Sequence, residues 1–202
     1  MAISNRTGII NYGAGNIFSL TAALDRLGLE YGMVNTPADF EKFGRFIIPG
    51  VGHAGRAMDK LQASGLAGYI PELKAPVLGI CVGMQLLTRF SQEGNRELLG
   101  VFPLDTLHFK GQVDLKVPHM GWNKVVARKN ASLFSGLDKD AYFYFVHSYY
   151  IPYDPTLTSA HSAYGLRFSA AFEWKNFYGV QFHPEKSGAA GEQVLANFAK
   201  LF

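Results

Sequence analysis

Apolar positions in the first ninety residues fall into short unbroken runs, separated by stretches where they recur every third or fourth residue. Residues 7–12 (Thr-Gly-Ile-Ile-Asn-Tyr) read as a buried strand closed by the loop Gly13-Ala14-Gly15-Asn16. Ile17, Leu20, Leu24 and Leu27 then recur at helical spacing up to a stop at Gly28. A short strand is expected over 31–34, and the run Phe46-Ile47-Ile48-Pro49 predicts another, ending in Gly50-Val51-Gly52. Residues 53–73 predict two short helices, broken at Gly65 and stopped near Pro71. Residues 77–80 form a strand leading into Cys81, and a helix is expected through Leu86, Leu87 and Phe90. Strands alternating with helices argue for a parallel sheet with helices on both faces.

The second half follows a different rule. Segments near 106–117, 123–128, 142–147, 162–168, 170–175 and 177–182 read as strands with no room for crossover helices between them. Such strands pair as antiparallel hairpins and extend the sheet. An amphipathic helix over 192–202 closes the chain. The expected fold class is therefore α/β, with a mostly parallel central sheet flanked by helices and antiparallel strands in the second half. The 202 residues fit one domain, 1–202, and show no internal repeat or low-complexity tract.

Composition narrows the function classes. A hydrophobic share of 48% with 17% charged residues describes a globular chain rather than a disordered one. The net charge of +3 is small, and no basic cluster exceeds Arg128-Lys129, which gives a nucleic-acid role little support. The N-terminus lacks the apolar core of a signal peptide, and no run approaches the ~20 apolar residues needed to span a bilayer. One cysteine cannot form an internal disulfide, which fits a reducing compartment, and a cytoplasmic location is expected. His53, His108, His119, His147 and His161 lack metal-ligand spacing, so no metal and no cofactor are expected. Gly13-Ala14-Gly15 starts like a dinucleotide fingerprint but has Phe18 where the pattern needs glycine.

The candidate chemistry centres on Cys81. A lone cysteine in an apolar stretch is ordinarily core. Here it sits in Gly79-Ile80-Cys81-Val82-Gly83-Met84-Gln85, where a buried strand turns into a helix and glycines stand two residues to either side. Such an elbow lifts the side chain out of the sheet edge and aims the following amides and the helix N-terminus at it, lowering a thiol pKa and stabilising an oxyanion. His183-Pro184-Glu185 could be an exposed loop. It also has the spacing that lets Glu185 hold one ring nitrogen of His183 while the other serves the thiol. Pro49-Gly50-Val51-Gly52 is either a plain loop or a mobile backbone whose Val51 amide joins that of Val82 as an oxyanion donor. The aromatic run 142–150 reads as a buried strand emerging at a polar end.

Taken together, the Cys81 and His183-Pro184-Glu185 motifs resemble the class I glutamine amidotransferase family, and the resemblance extends over essentially the whole chain. Within that family, Asn11-Tyr12-Gly13-Ala14-Gly15-Asn16, Pro49-Gly50-Val51-Gly52-His53, Pro118-His119-Met120-Gly121-Trp122-Asn123 and His183-Pro184-Glu185-Lys186-Ser187 resemble the glutaminase subunits of imidazole glycerol phosphate synthases. The resemblance implies that Cys81 attacks the side-chain amide of glutamine, that His183 protonates the departing ammonia, and that Glu185 orients His183. It implies that Gln85 and Glu93 hold the glutamine head group, and that Ser148 and Tyr149 hold its carboxylate end by their backbone, with Gly52 contributing. Gln85 lies one helical turn beyond Cys81, which gives this assignment a geometric basis as well. The partner implied is a (β/α)8-barrel cyclase that consumes the ammonia, with Asn11, Trp122, Tyr144 and Lys186 at or near the interface. Residues 153–168 match no motif.

Three other readings stay open on the sequence. One is a glutaminase subunit of another synthase (anthranilate, formylglycinamidine or pyridoxal phosphate), against which the Pro-His-Met-Gly-Trp-Asn segment argues. Another is an autonomous cysteine hydrolase, and the last is a catalytically idle binding subunit, which the intact triad opposes.

Overall fold

The computed structural model describes residues 5–201. Strand β1 (Thr7–Ile10) leads into helix α1 (Ile17–Arg26), followed by β2 (Tyr31–Val34), β3 (Arg45–Ile48), α2 (Ala54–Ala63) and β4 (Val77–Ile80). Helix α3 (Val82–Leu86) is followed by β5 (Thr88–Ser91), β6 (Arg96–Glu97) and β7 (Phe102–His108). Then come β8 (His119–Lys124), β9 (Val126–Ala127), β10 (Tyr142–His147), β11 (Tyr149–Tyr150), β12 (Thr158–Tyr164), β13 (Leu166–Trp174), β14 (Phe177–Val180) and α4 (Gly188–Phe198).

The main sheet has the order β2-β1-β3-β4-β14-β13-β12-β9. Its first five strands run parallel, and the last three are added antiparallel through β13 and β12. All four residues of β1, β3 and β4 are buried, as strands covered on both faces require. Helix α1 packs its stripe of Leu20, Ala23 and Leu24 inward, each such Leu contributing about 1.5–3 kcal/mol by burial. The helix starts where the Asn16 side chain accepts from the Ser19 amide at 3.2 Å, and it ends before Gly28, whose φ of 63° suits glycine.

Two smaller sheets stand apart from the main one. β8 and β10 form an antiparallel ribbon, and β11-β7-β5-β6 form a four-stranded sheet. On the ribbon, Phe143, Phe145 and His147 point inward, while Met120, Trp122 and Tyr142 are exposed.

The expected elements are present with shifted edges. The helix after Cys81 stops at Leu86 and does not reach Phe90, which lies in β5: Leu87 caps the helix, and the backbone turns to pair with β7. The second helix expected before Pro71 is a single 3-10 turn, Ile70–Glu72. Of the strand expected over 106–117 only 106–108 is strand, the end of β7, and the rest is loop. The one expected over 123–128 is divided between the end of β8 and β9, and the two expected over 162–175 are the hairpin β12 and β13. The closing helix is α4, which starts at Gly188 rather than 192, and Phe202 lies outside the described residues. The uninterpreted stretch 153–168 contains a tight turn, in which Asp154 Oδ1 accepts from the Thr156 and Leu157 amides, followed by β12 of the main sheet. Among the described residues no helix is long and apolar enough to cross a membrane.

Candidate active site

In an open parallel sheet, side chains that follow the carboxyl ends of the strands converge above one edge. Here Cys81 follows β4, the Pro49-Gly50-Val51-Gly52 loop follows β3, and Gln181 and His183 follow β14. β14 and β4 run parallel in register, with Val180 opposite Ile80, so Cys81 and the residues before His183 emerge side by side. The Cys81 amide donates to the Val180 carbonyl at 2.8 Å.

The elbow is strained. Cys81 has φ 53° and ψ −109°, a conformation that costs a side-chain-bearing residue about 1–3 kcal/mol. The flanking glycines permit it by close approach. A Cβ on Gly79 would stand 2.4 Å from the Gly83 carbonyl oxygen, and one on Gly83 would stand 1.9 Å from that of Ile48. Helix α3 is only five residues long, so the expected help from a helix N-terminus is small, and the sharp turn itself presents the thiol.

His183 Nδ1 and Glu185 Oε1 are 2.8 Å apart, and both side chains are buried. The short 3-10 turn Pro184–Lys186 sets this spacing. The Nε2 edge of the ring makes no ordinary hydrogen bond; the group acting on it is Cys81. Burial disfavours the imidazolium, but the adjacent Cys81 and the hydrogen-bonded Glu185 outweigh it and raise His183 from 6.5 to about 10. The imidazole is therefore held toward its protonated form beside Cys81.

Gln181 belongs to this cluster and was not expected from sequence. It is buried, its Nε2 donates to Cys81 Sγ at 3.7 Å, and its Oε1 accepts from Gln85 Nε2 at 3.1 Å. Its signal was its place one residue past β14, beside Cys81. Tyr12 was likewise given no role: its hydroxyl donates to the Pro49 carbonyl at 2.7 Å, tying down the loop before Gly50. Burial, and then the charge of Cys81, push the Tyr12 phenol up.

A cavity of about 690 Å³ opens over these groups, lined by Val51, Gly52, Cys81, Val82, Gln85, Glu93, Ser148, Tyr149 and His183 among others. All the residues expected to act in catalysis, as oxyanion donors or on glutamine thus surround one space, except Glu185, which stands behind His183. Gln85 Oε1 is buried without a partner there, an acceptor open to an amide or ammonium donor. Glu93 has a second contact: its Oε2 accepts from the Ala54 amide at 2.6 Å, at the start of α2. The Val82 amide, expected to serve as an oxyanion donor, instead donates to the Gly50 carbonyl at 3.3 Å within the protein.

The expected interface residues divide. Trp122 is 57% exposed on β8 with Tyr144 of β10 opposite it, their rings 6.2 Å apart. Asn11 donates to Asn35 at 2.8 Å, and Lys186 lines the cavity itself.

The class I glutamine amidotransferase family model matches residues 8–201. The chain is 47% identical over 197 residues to the imidazole glycerol phosphate synthase subunit HisH of Bacteroides fragilis, covering 97% of this chain and all of that one. It is 44% identical to the HisH subunit of Escherichia coli, with coverage of 96% and 98%. The structure of PurLQS from Thermotoga maritima superposes with a TM-score of 0.71 at 17% identity, covering 97% of this chain and 98% of that one.

Proposed function

The chain belongs to the class I glutamine amidotransferase family, and we propose from that premise how its cavity cleaves glutamine. Its function is that of the glutaminase subunit of an imidazole glycerol phosphate synthase, in histidine biosynthesis. The Cys81 thiolate attacks the side-chain carbonyl carbon of glutamine, and His183 gives its proton to the departing nitrogen as the C–N bond breaks. Ammonia leaves and a glutamyl thioester remains. Water, deprotonated by the now neutral His183, attacks the thioester, the C–S bond breaks, and glutamate is released. Glu185 keeps the ring in one orientation throughout.

The observation that carries this reading is the His183 imidazole buried between Cys81 and Glu185 at the wall of the cavity. Gln85, Glu93 and Gly52 are assigned to the substrate head group, and the backbone of Ser148 and Tyr149 to its carboxylate end. The amides of Val51 and Val82 are assigned to the oxyanion. The free nucleophilic thiol requires a reducing compartment, which the cytoplasm provides.

Ammonia released to water would be protonated and lost, so the proposal includes a partner that takes it directly. We assign that partner as the (β/α)8-barrel cyclase of the synthase. Its docking face is the exposed side of the β8–β10 ribbon, where Met120 and Trp122 are 63% and 57% exposed. Asn11, Tyr144 and Lys186 are assigned to the same contact. The test is glutamate release from glutamine by the purified chain, alone and with the cyclase and its nucleotide ligand. Turnover that depends on the cyclase supports the assignment; equal turnover with and without it favours an autonomous hydrolase.

A further inference from the structure

Behind Tyr149 lies a buried pair of histidines that the chemistry above does not use. His119 on β8 and His147 on β10 are opposite one another in the ladder, with His119 Nδ1 and His147 Nε2 2.8 Å apart. They occupy the buried side of the ribbon whose other side carries Met120 and Trp122. The His119 ring lies between Tyr164 at 4.2 Å and Phe145 at 5.0 Å, both near parallel to it, while Phe109 and Phe168 flank His147.

The two ends of this pair fix the direction of every hydrogen bond along it. At one end His147 Nδ1 is 2.7 Å from the Tyr149 carbonyl, which can only accept, so Nδ1 carries the proton. His147 Nε2 then accepts from His119 Nδ1. At the other end Asn123 Nδ2 donates to the Ala163 carbonyl at 2.9 Å and stands 3.2 Å from His119 Nε2, which accepts. Both rings are thus neutral and each holds one tautomer. Burial agrees with this, lowering His119 to about 4 and His147 to about 3, the nearby His183 adding to the shift at His147.

The Tyr149 carbonyl held in this way reaches the site. Gln85 Nε2 lies 3.5 Å from the same oxygen and contacts Gln181, which contacts Cys81. The preceding carbonyl, of Ser148, is taken by the Phe109 amide at 3.0 Å. With both carbonyls tied, the peptide planes of Ser148 and Tyr149 are set at the cavity wall.

We propose that His147, oriented by His119, is a positioning residue for glutamine binding: it fixes the Tyr149 carbonyl and so the segment of Ser148 and Tyr149 that receives the substrate. The inference rests on the glutaminase reading. It differs from a packing role in a way that isosteres separate. The amide nitrogen of asparagine takes the place of an imidazole Nδ1 and can donate to Tyr149, whereas the amide oxygen of glutamine takes the place of the accepting Nε2. His147→Asn therefore keeps the bond to Tyr149, whereas His147→Gln keeps only the side that faces His119.

The experiment is steady-state glutamine hydrolysis by the assembled two-subunit enzyme for wild type, H147N, H147Q and H147L, with the ammonia-driven synthase reaction measured in parallel. H147L and H147Q are expected to raise KM for glutamine roughly tenfold, the scale of one lost buried hydrogen bond, with kcat within about threefold and the ammonia reaction unchanged. H147N is expected to restore KM to within about threefold of wild type. Should H147L fail to fold, the comparison of H147N with H147Q decides alone. Equal KM values for those two, or a KM in H147L like that of wild type, would overturn the relay while leaving the glutaminase reading intact. A wild-type complex that releases no glutamate would overturn both.

Discussion

The amide of Val82, the residue after the nucleophile, donates to the Gly50 carbonyl at 3.3 Å. An oxyanion formed at Cys81 would need that amide, and here a carbonyl oxygen occupies its hydrogen. Val51 between Gly50 and Gly52 is 40% exposed, and Gly52 has φ 87° with open space around its Cα, whereas Gly50 is packed against the Val82–Gly83 backbone. The isolated chain is expected to hydrolyse glutamine slowly, and the partner to raise kcat by about 10²–10³, the scale of one oxyanion donor. Glutamate release with and without the partner measures this; full activity in the free chain would show that the Gly50 contact does not limit turnover.

Replacing Cys81 with Ala removes the proposed nucleophile and should leave the chemistry of the proposed cyclase partner untouched. Glutamine-dependent product formation by the complex is expected to fall below detection while ammonium salts still support the reaction. Loss of both activities would contradict the division of labour between subunits.

His183 gives a pH signature in stability. Its folded value of about 10 lies above its ordinary 6.5, so protonation stabilises the fold. That stabilisation is complete below about 6.5 and is lost as pH rises through about 10. Glu185→Gln removes part of it, so the difference in Tm between wild type and E185Q should be largest near pH 6 and shrink toward pH 10. A pH-independent difference would mean that the carboxylate does not hold a charged ring.

The elbow tolerates no side chain at Gly83. A methyl group there would sit 1.9 Å from the Ile48 carbonyl oxygen, backbone against backbone, with no flexible group to give way. Gly83→Ala is expected to lose about 3 kcal/mol or more of stability, read from urea unfolding. A midpoint like that of wild type would mean that β3 and α3 can separate without cost.

The ribbon face should matter to assembly and not to folding. Trp122→Ala removes a side chain that is mostly in solvent, so Tm should stay within a few degrees of wild type. Affinity for the partner, measured by calorimetry, is expected to fall by roughly 30-fold or more, as for an aromatic anchor at an interface. Unchanged affinity would move the docking site elsewhere.

Much of this site was legible along the chain because its chemistry is local. The elbow needs glycines two residues to either side of Cys81, His183 and Glu185 are two apart, and Gln85 follows Cys81 by one turn. One departure had a non-local cause: the periodicity through Phe90 looks helical, yet pairing with β7 captures that segment as a strand. Gln181 was missed because its place one residue past β14 becomes informative only once β14 and β4 run in register.

The order of apolar runs, the glycine elbow and the spacing of His183 and Glu185 were thus determined by the sequence itself, since strand burial, backbone strain and a two-residue carboxylate reach are all set within a few residues. Contacts between groups distant along the chain were decided only by the tertiary structure. These include the engagement of the Val82 amide by Gly50, the meeting of Cys81 with His183 and Gln181, and the pairing of His119 with His147 behind Tyr149. Each depends on strand order and register in the folded sheets, and those follow from the packing of the whole chain rather than from any one segment of it.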